Sequence, residues 1–116
     1  MSKKEKAALL QGTLDMLIMK SLQSGARHGY QITRWLESTS QNALVVEEGS
    51  LYPALHRMER RGWIEASWGK SESNRRAKFY RLTRAGRAQL AREVNAWDCL
   101  TQAISLIVHP PSKESS

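Results

Sequence analysis

From His56 to Arg92 the chain places eleven basic residues (Arg57, Arg60, Arg61, Lys70, Arg75, Arg76, Lys78, Arg81, Arg84, Arg87 and Arg92) against three acidic ones (Glu59, Glu65 and Glu72). Guanidinium and ammonium groups gathered in one segment suit a polyanion, because each can neutralise a phosphate and release a counterion. The chemistry to expect is therefore binding, and the partner duplex DNA.

The segment begins within Glu48-Gly49-Ser50-Leu51-Tyr52-Pro53-Ala54-Leu55-His56-Arg57-Met58-Glu59-Arg60-Arg61-Gly62. Ser50 reads as an N-cap, Pro53 as a first-turn residue that costs no intrahelical N–H bond, and Gly62 as the stop. Leu51, Leu55, Met58 and Tyr52 recur at helical spacing and face a core, which leaves Ala54, His56, Arg57, Arg60 and Arg61 outward. Backbone amides at the helix start favour a phosphate. Considered alone, such a helix is only a solvated basic surface, so its meaning depends on the elements that position it.

Those elements are legible. Leu9 to about Gln23 predicts a first helix, with an apolar stripe of Leu10, Leu14, Leu17, Ile18 and Leu22 and a stop at Gly25. A second helix runs from near His28 to about Thr39, and Ser38 to Asn42 supplies a loop. Leu44, Val45 and Val46 suggest a short strand. After the basic helix, Trp63 to Trp68 alternates as a half-buried strand with Ile64, Ala66 and Trp68 on one face; Ala77 to Leu82 is its expected partner. Gly69 to Arg76 between them, carrying Lys70, Arg75 and Arg76, predicts a flexible basic loop. Three helices followed by a two-stranded hairpin give a mainly α fold with a small β-hairpin, the winged helix-turn-helix, whose third helix enters the major groove.

The last helix begins at Thr83, an N-cap, and extends to about Val108 before Pro110 and Pro111. Leu90, Val94, Trp97, Thr101, Ile104 and Val108 form a heptad seam, widened by Leu100 and Ile107. That is more apolar surface than a three-helix head covers. A homodimer built on this helix, with Leu10, Leu14 and Leu17 of the first helix packed across it, buries it. The expected organisation is a DNA-binding head over 1–82, a dimerisation helix over 83–109 and a disordered tail over 110–116.

With 116 residues and 41% hydrophobic content, one domain is expected. A single cysteine, Cys99, excludes an intrachain disulfide and fits a reducing, cytoplasmic setting; it reads as a small buried hydrophobe. No secretory signal and no apolar run of about 20 residues is seen, so no membrane partner is expected. His28, His56 and His109 are scattered, with no nucleophile or carboxylate beside them in a catalytic signature, and no CxxC or HxxxH spacing supports a zinc site. Neither an enzyme nor a cofactor or metal is expected.

Taken in order, Leu10-Gln11-Gly12-Thr13-Leu14-Asp15, His28-Gly29-Tyr30, Glu48 to Leu55, Trp63-Ile64, Arg75-Arg76-Ala77-Lys78-Phe79-Tyr80 and Leu82-Thr83-Arg84-Ala85-Gly86 give the chain a likeness along nearly its whole length. It resembles the PadR family of bacterial transcriptional regulators, in its short form with a single C-terminal dimerisation helix. The resemblance implies a dimeric repressor on a pseudo-palindromic operator, released by a small molecule or another cue. It places Tyr30 near the DNA backbone, Ser50, Tyr52 and Pro53 at the start of the recognition helix, and Arg75, Arg76 and Lys78 in the wing. The hydroxyls of Tyr30, Ser50 and Tyr52 are expected on phosphates, with packing at the core edge as the alternative for the two tyrosines. His56 and Arg57 are candidates for base edges or further phosphates. Trp97 either fills the dimer core or flanks a small aromatic or hydrophobic effector. The competing functional reading is a winged-helix protein-interaction module or a nonspecific nucleic-acid binder, against which the concentrated basic charge argues.

Overall fold

The structure, a computed structural model, describes residues 13–112. In chain order it contains helix α1 (13–21), strand β1 (Arg27–His28), helices α2 (Gly29–Thr39) and α3 (Glu48–Arg60), strands β2 (Ile64–Lys70) and β3 (Arg76–Leu82), and helix α4 (Arg84–Val108). Leu10 and the expected beginning of the first helix lie outside the described residues. Of the expected tail, residues 110–112 are exposed and lack regular structure.

Local chemistry explains most boundaries. His28 caps α2 through a reciprocal box: its Nδ1 accepts from the Gln31 N–H, and its own N–H donates to the Gln31 side chain at 3.0 Å. At the end of α3, Gly62 adopts φ +78°; its N–H reaches the Glu59 carbonyl and the Trp63 N–H reaches that of Met58. This is a Schellman turn, which needs the left-handed residue that glycine supplies without strain. Thr83 caps α4 by accepting from the Gly86 N–H at 3.0 Å, as its position in the sequence predicts.

Three local expectations need correction. Helix α3 starts earlier than Ser50 suggests: Glu47 is its N-cap, without a side-chain cap bond, and Glu48 occupies the first turn, where its charge favours the helix dipole. Ser50 is therefore helical, and Pro53 lies in the second turn, where it cannot donate to the Gly49 carbonyl. Leu44 to Val46 form no strand; only Val46 is buried, anchoring an extended connection. The basic loop is also shorter than expected. The strands extend to Lys70 and Arg76, leaving five residues tied by Ser71 N–H to the Arg75 carbonyl at 2.8 Å and by Asn74, at φ +64°, to the Ser71 carbonyl.

The sheet is antiparallel in the order β1-β3-β2. Its first strand, Arg27–His28, is too short to carry a period-two signal and pairs with Phe79 and Tyr80. Strands β2 and β3 run in register from Ile64 opposite Leu82 to Lys70 opposite Arg76. The core gathers Leu14, Ile18 and Met19 from α1 with Leu22 in the turn after it, Ile32 and Leu36 from α2, Leu51, Leu55 and Met58 from α3, and Ile64, Tyr80 and Leu82 from the sheet. Helix α4 joins it through Leu90, with Val94 half-buried against it. Beyond that point Trp97, Leu100, Ile104 and Val108 are exposed, as are Leu106 and Ile107; Thr101 is half-buried. Cys99, expected to be buried, is exposed on this same outer part of α4, because nothing in the described chain packs there.

Candidate nucleic-acid interface

Helix α3 buries Leu51, Ala54, Leu55 and Met58. With about 100° between successive residues, its opposite side carries Gly49, Pro53, His56 and Arg60, all exposed. Ala54, expected outward, is instead 1% exposed, because its small side chain lets α3 lie close to the core. The open side of α3 is thus bare backbone at Gly49, the Pro53 ring in the second turn, an imidazole beyond it and a guanidinium at its end. Ser50 is exposed on one flank of this side and Tyr52 is half-exposed on the other.

The flanks are held by specific partners. Tyr52 lies over Gly29 so closely that a Cβ on Gly29 would collide with its hydroxyl and come within 2.9 Å of Cζ. The glycine of His28-Gly29-Tyr30 is therefore a seat for the tyrosine of Leu51-Tyr52-Pro53. Next to it, Tyr30 in the first turn of α2 is 64% exposed, and its hydroxyl accepts from Arg34 at 3.3 Å. On the other flank Arg57 donates to Asp15 of α1 at 2.6 Å through one terminal nitrogen, with Nε at 3.4 Å from the other carboxylate oxygen. Arg57, expected to reach outward, is partly buried against α1, and its charge is already compensated.

Burial matters for the wing as well. Residues opposite one another in an antiparallel pair share a face, so Ile64, Leu82, Ala66 and Tyr80 begin one face and Trp68, Lys78, Lys70 and Arg76 continue it. Its inner end is core, where desolvation raises the Tyr80 phenol above its ordinary pKa, helped by the Glu59 carboxylate. Its outer end is basic and open. Lys78 links the face to α3, with Nζ 3.6 Å from the Glu59 carboxylate. Arg75 is exposed in the turn, and Arg76 lies 4.3 Å from the ring centre of Trp68, which is itself 59% exposed.

The fold therefore brings Tyr30, Ser50, Tyr52, Pro53 and His56 to one side, extended by Lys78, Arg76 and Arg75 along the wing. It draws Arg57 away towards α1. Spacing alone does not single out Arg34 or Asp15, and it puts Trp68 on the half-buried face of its strand, where the structure leaves it 59% exposed because the wing extends past the core. Arg60, expected outward, is exposed in the last turn of α3, where its charge also favours the helix dipole. Helical spacing from Pro53 to Arg60 could have marked the latter, whereas the Arg57–Asp15 pair spans 42 positions and has no local signal.

Away from this side, a cleft of about 340 Å³ lies between α1 and α4, bordered by Lys20, Gln23, Arg87, Leu90, Val94 and Asp98. Trp97 does not line it. Among the described residues, no group of three or more His, Cys, Asp or Glu side chains is placed to hold a metal ion, and no helix is long and apolar enough to cross a membrane.

Comparison with known proteins bears on the fold and the family. The model of the transcriptional regulator PadR-like family matches residues 18–92. A transcriptional regulator structure from Clostridium thermocellum is 26% identical with a TM-score of 0.77, covering 84% of this chain and 95% of that one. A PadR-like transcriptional regulator from Bacillus cereus is 25% identical, also with a TM-score of 0.77, over 90% of this chain and 99% of its own. A protein of Lysinibacillus sphaericus described as uncharacterized is 29% identical over 100 residues, spanning 86% of this chain and 92% of its own length.

Proposed function

The chain belongs to the PadR-like family of transcriptional regulators and is a DNA-binding regulator; from that premise we propose that it is a homodimeric repressor, reading a pseudo-palindromic operator with α3 and the wing. The observation that carries this reading is the contrast along α4. Leu90 is buried in the head, while Trp97, Leu100, Ile104 and Val108, one to two turns apart on the same helix, face solvent. Apolar side chains on a helix that has left its own core are stabilised by a second apolar helix.

Two-fold pairing through α4, with the half-buried Leu17 of α1 beside it, Leu14 backing it from within the head's core and Leu10 preceding them in sequence, duplicates the basic side. In this reading residues 1–82 read DNA, 83–109 set the separation of the two heads, and 110–116 form a tail. The hydroxyls of Tyr30, Ser50 and Tyr52 donate to phosphates, His56 reaches a base edge, and Arg75, Arg76 and Lys78 meet the backbone and the minor groove. Arg57 acts after exchanging part of its bond to Asp15 for DNA. The protein works in the cytoplasm, without catalysis or a cofactor.

Release by a small aromatic or hydrophobic effector, with Trp97 as its contact, belongs to the same reading. The exposed indole supports it, since a tryptophan on a dimer helix can pair with its symmetry mate around a planar ligand. Binding assays on the DNA upstream of the coding region, with competitor DNA and alongside sedimentation, test the whole. A dimer that prefers this DNA over competitor is expected. A monomer, or a dimer indifferent to sequence, favours the interaction-module or nonspecific reading.

A further inference from the structure

The wing carries a feature that neither the core nor the recognition helix uses. Trp68 is more than half exposed on a strand whose preceding same-face residues, Ile64 and Ala66, turn inward. Tryptophan has the largest apolar surface of any side chain, and leaving it in water forgoes burial that a smaller residue would not miss. Its surroundings are cationic. Lys78 stands directly opposite in the ladder, and Lys70 and Arg76 form the next pair outward on the same face.

Arg76 does more than neighbour the indole. Its guanidinium carbon lies 4.3 Å from the ring centroid, the shortest such approach among the described residues. A guanidinium at that distance is attracted by the ring's negative face and loses rotamer freedom. Its five donors remain in the plane of the fork, available to acceptors at its edge. Because Lys78, on the same face, reaches Glu59 of α3, the Trp68–Arg76 pair stands on the side of the wing that turns toward the recognition helix.

Resting on the DNA-binding reading, we propose that Trp68 and Arg76 act as one minor-groove contact. Trp68 is both a positioning residue for the guanidinium and a surface that packs against deoxyribose. Arg76 enters the groove, where narrow A·T-rich DNA is most negative, and the indole covers the adjacent sugar wall. Opposite this pair, Gly69 helps keep the other face flat: a Cβ there would come within 3.2 Å of the Phe79 ring, which packs edge-on against His28. The ribbon is thereby braced from behind.

The experiment is a fluorescence-anisotropy titration of a labelled duplex from the chain's own upstream DNA, with wild type, W68A, W68F, R76A and W68A/R76A. Dimethyl sulfate probing runs alongside it, because it reports guanine N7 in the major groove and adenine N3 in the minor groove. W68A is expected to weaken binding by roughly two- to thirtyfold, the range of one cation–π contact, whereas W68F stays near wild type. R76A weakens binding too, and the double variant falls short of the product of the two effects. Both single variants lose adenine N3 protection and keep guanine N7 protection, a pattern that general unfolding does not produce. Wild-type affinity in W68A, multiplicative effects in the double variant, or unchanged N3 protection overturns the shared contact while leaving operator binding intact. A wild-type protein with no preference for any duplex overturns the operator reading itself, and this contact with it.

Discussion

The Tyr52 ring rests on the Cα of Gly29, so that the second helix and the recognition helix meet where two sequence motifs, His28-Gly29-Tyr30 and Leu51-Tyr52-Pro53, come together. The obstruction that a Cβ on Gly29 would meet is the far end of a side chain, and it can swing aside. Gly29→Ala should therefore change thermal stability little, since alanine also favours the helix, yet move the Tyr52 hydroxyl. A loss of roughly tenfold in operator affinity, the worth of a hydrogen bond to a charged group, is expected by anisotropy. Unchanged affinity would place Tyr52 in packing only.

Gly86 makes the opposite case. A Cβ there would run into the Trp63 carbonyl, and backbone cannot swing aside. The start of α4 is pinned at this point, with the Thr83 N–H on that carbonyl at 3.0 Å and the Thr83 hydroxyl on that of Gly62 at 2.6 Å. Gly86→Ala should cost about 1–3 kcal/mol by forcing these elements apart, measured by denaturant unfolding. A midpoint equal to wild type would show that α4 can shift freely on the head.

How much of this can be read in the sequence depends on the range of the interaction. Thr83, Gly62 and the apolar spacing of α4 act within a turn or two, and each marks its element where the structure has it. The start of the recognition helix is misleading because Ser50 looks like a cap, while Glu47 and Glu48 begin the helix through backbone and dipole without a capping side chain. Strand β1 has two residues and exists only because β3 is beside it. The candidate site divides in the same way. The outward placement of His56 follows from periodicity, but the diversion of Arg57 to Asp15 is tertiary and leaves no local trace.

That ion pair yields its own prediction. Both partners are partly buried, so removing one leaves the other poorly solvated. If Arg57 also reaches DNA, Asp15→Asn frees the guanidinium and should strengthen nonspecific binding at low salt while lowering stability. Arg57→Ala should weaken binding. Equal binding by both variants would make the pair purely structural.

Charge in the wing should be visible in salt dependence. With about three to five phosphates neutralised per subunit, the dimer's log–log slope is expected to be roughly −5 to −9. Replacing Arg75 and Arg76 together with alanine should lower affinity and make the slope shallower by about one for each phosphate no longer neutralised. A slope identical to wild type would remove the wing from the interface.

The outer half of α4 should decide assembly without touching the head. Leu100 and Ile104 are exposed and remote from Leu90, the buried anchor. Lysine at both positions should leave helical content and head stability near wild type, but give a monomer by sedimentation, since paired charges in an apolar seam are costly. An unchanged dimer would locate the interface elsewhere.

Two copies reading one symmetric site would fix both the stoichiometry and the footprint of a single complex with DNA. Sedimentation of the protein with its upstream duplex, combined with hydroxyl-radical protection, should find two chains per duplex. It should also find two protected patches on the same face, separated by about one helical turn, ~34 Å. One chain per duplex, or a single protected patch without a symmetric mate, would contradict it.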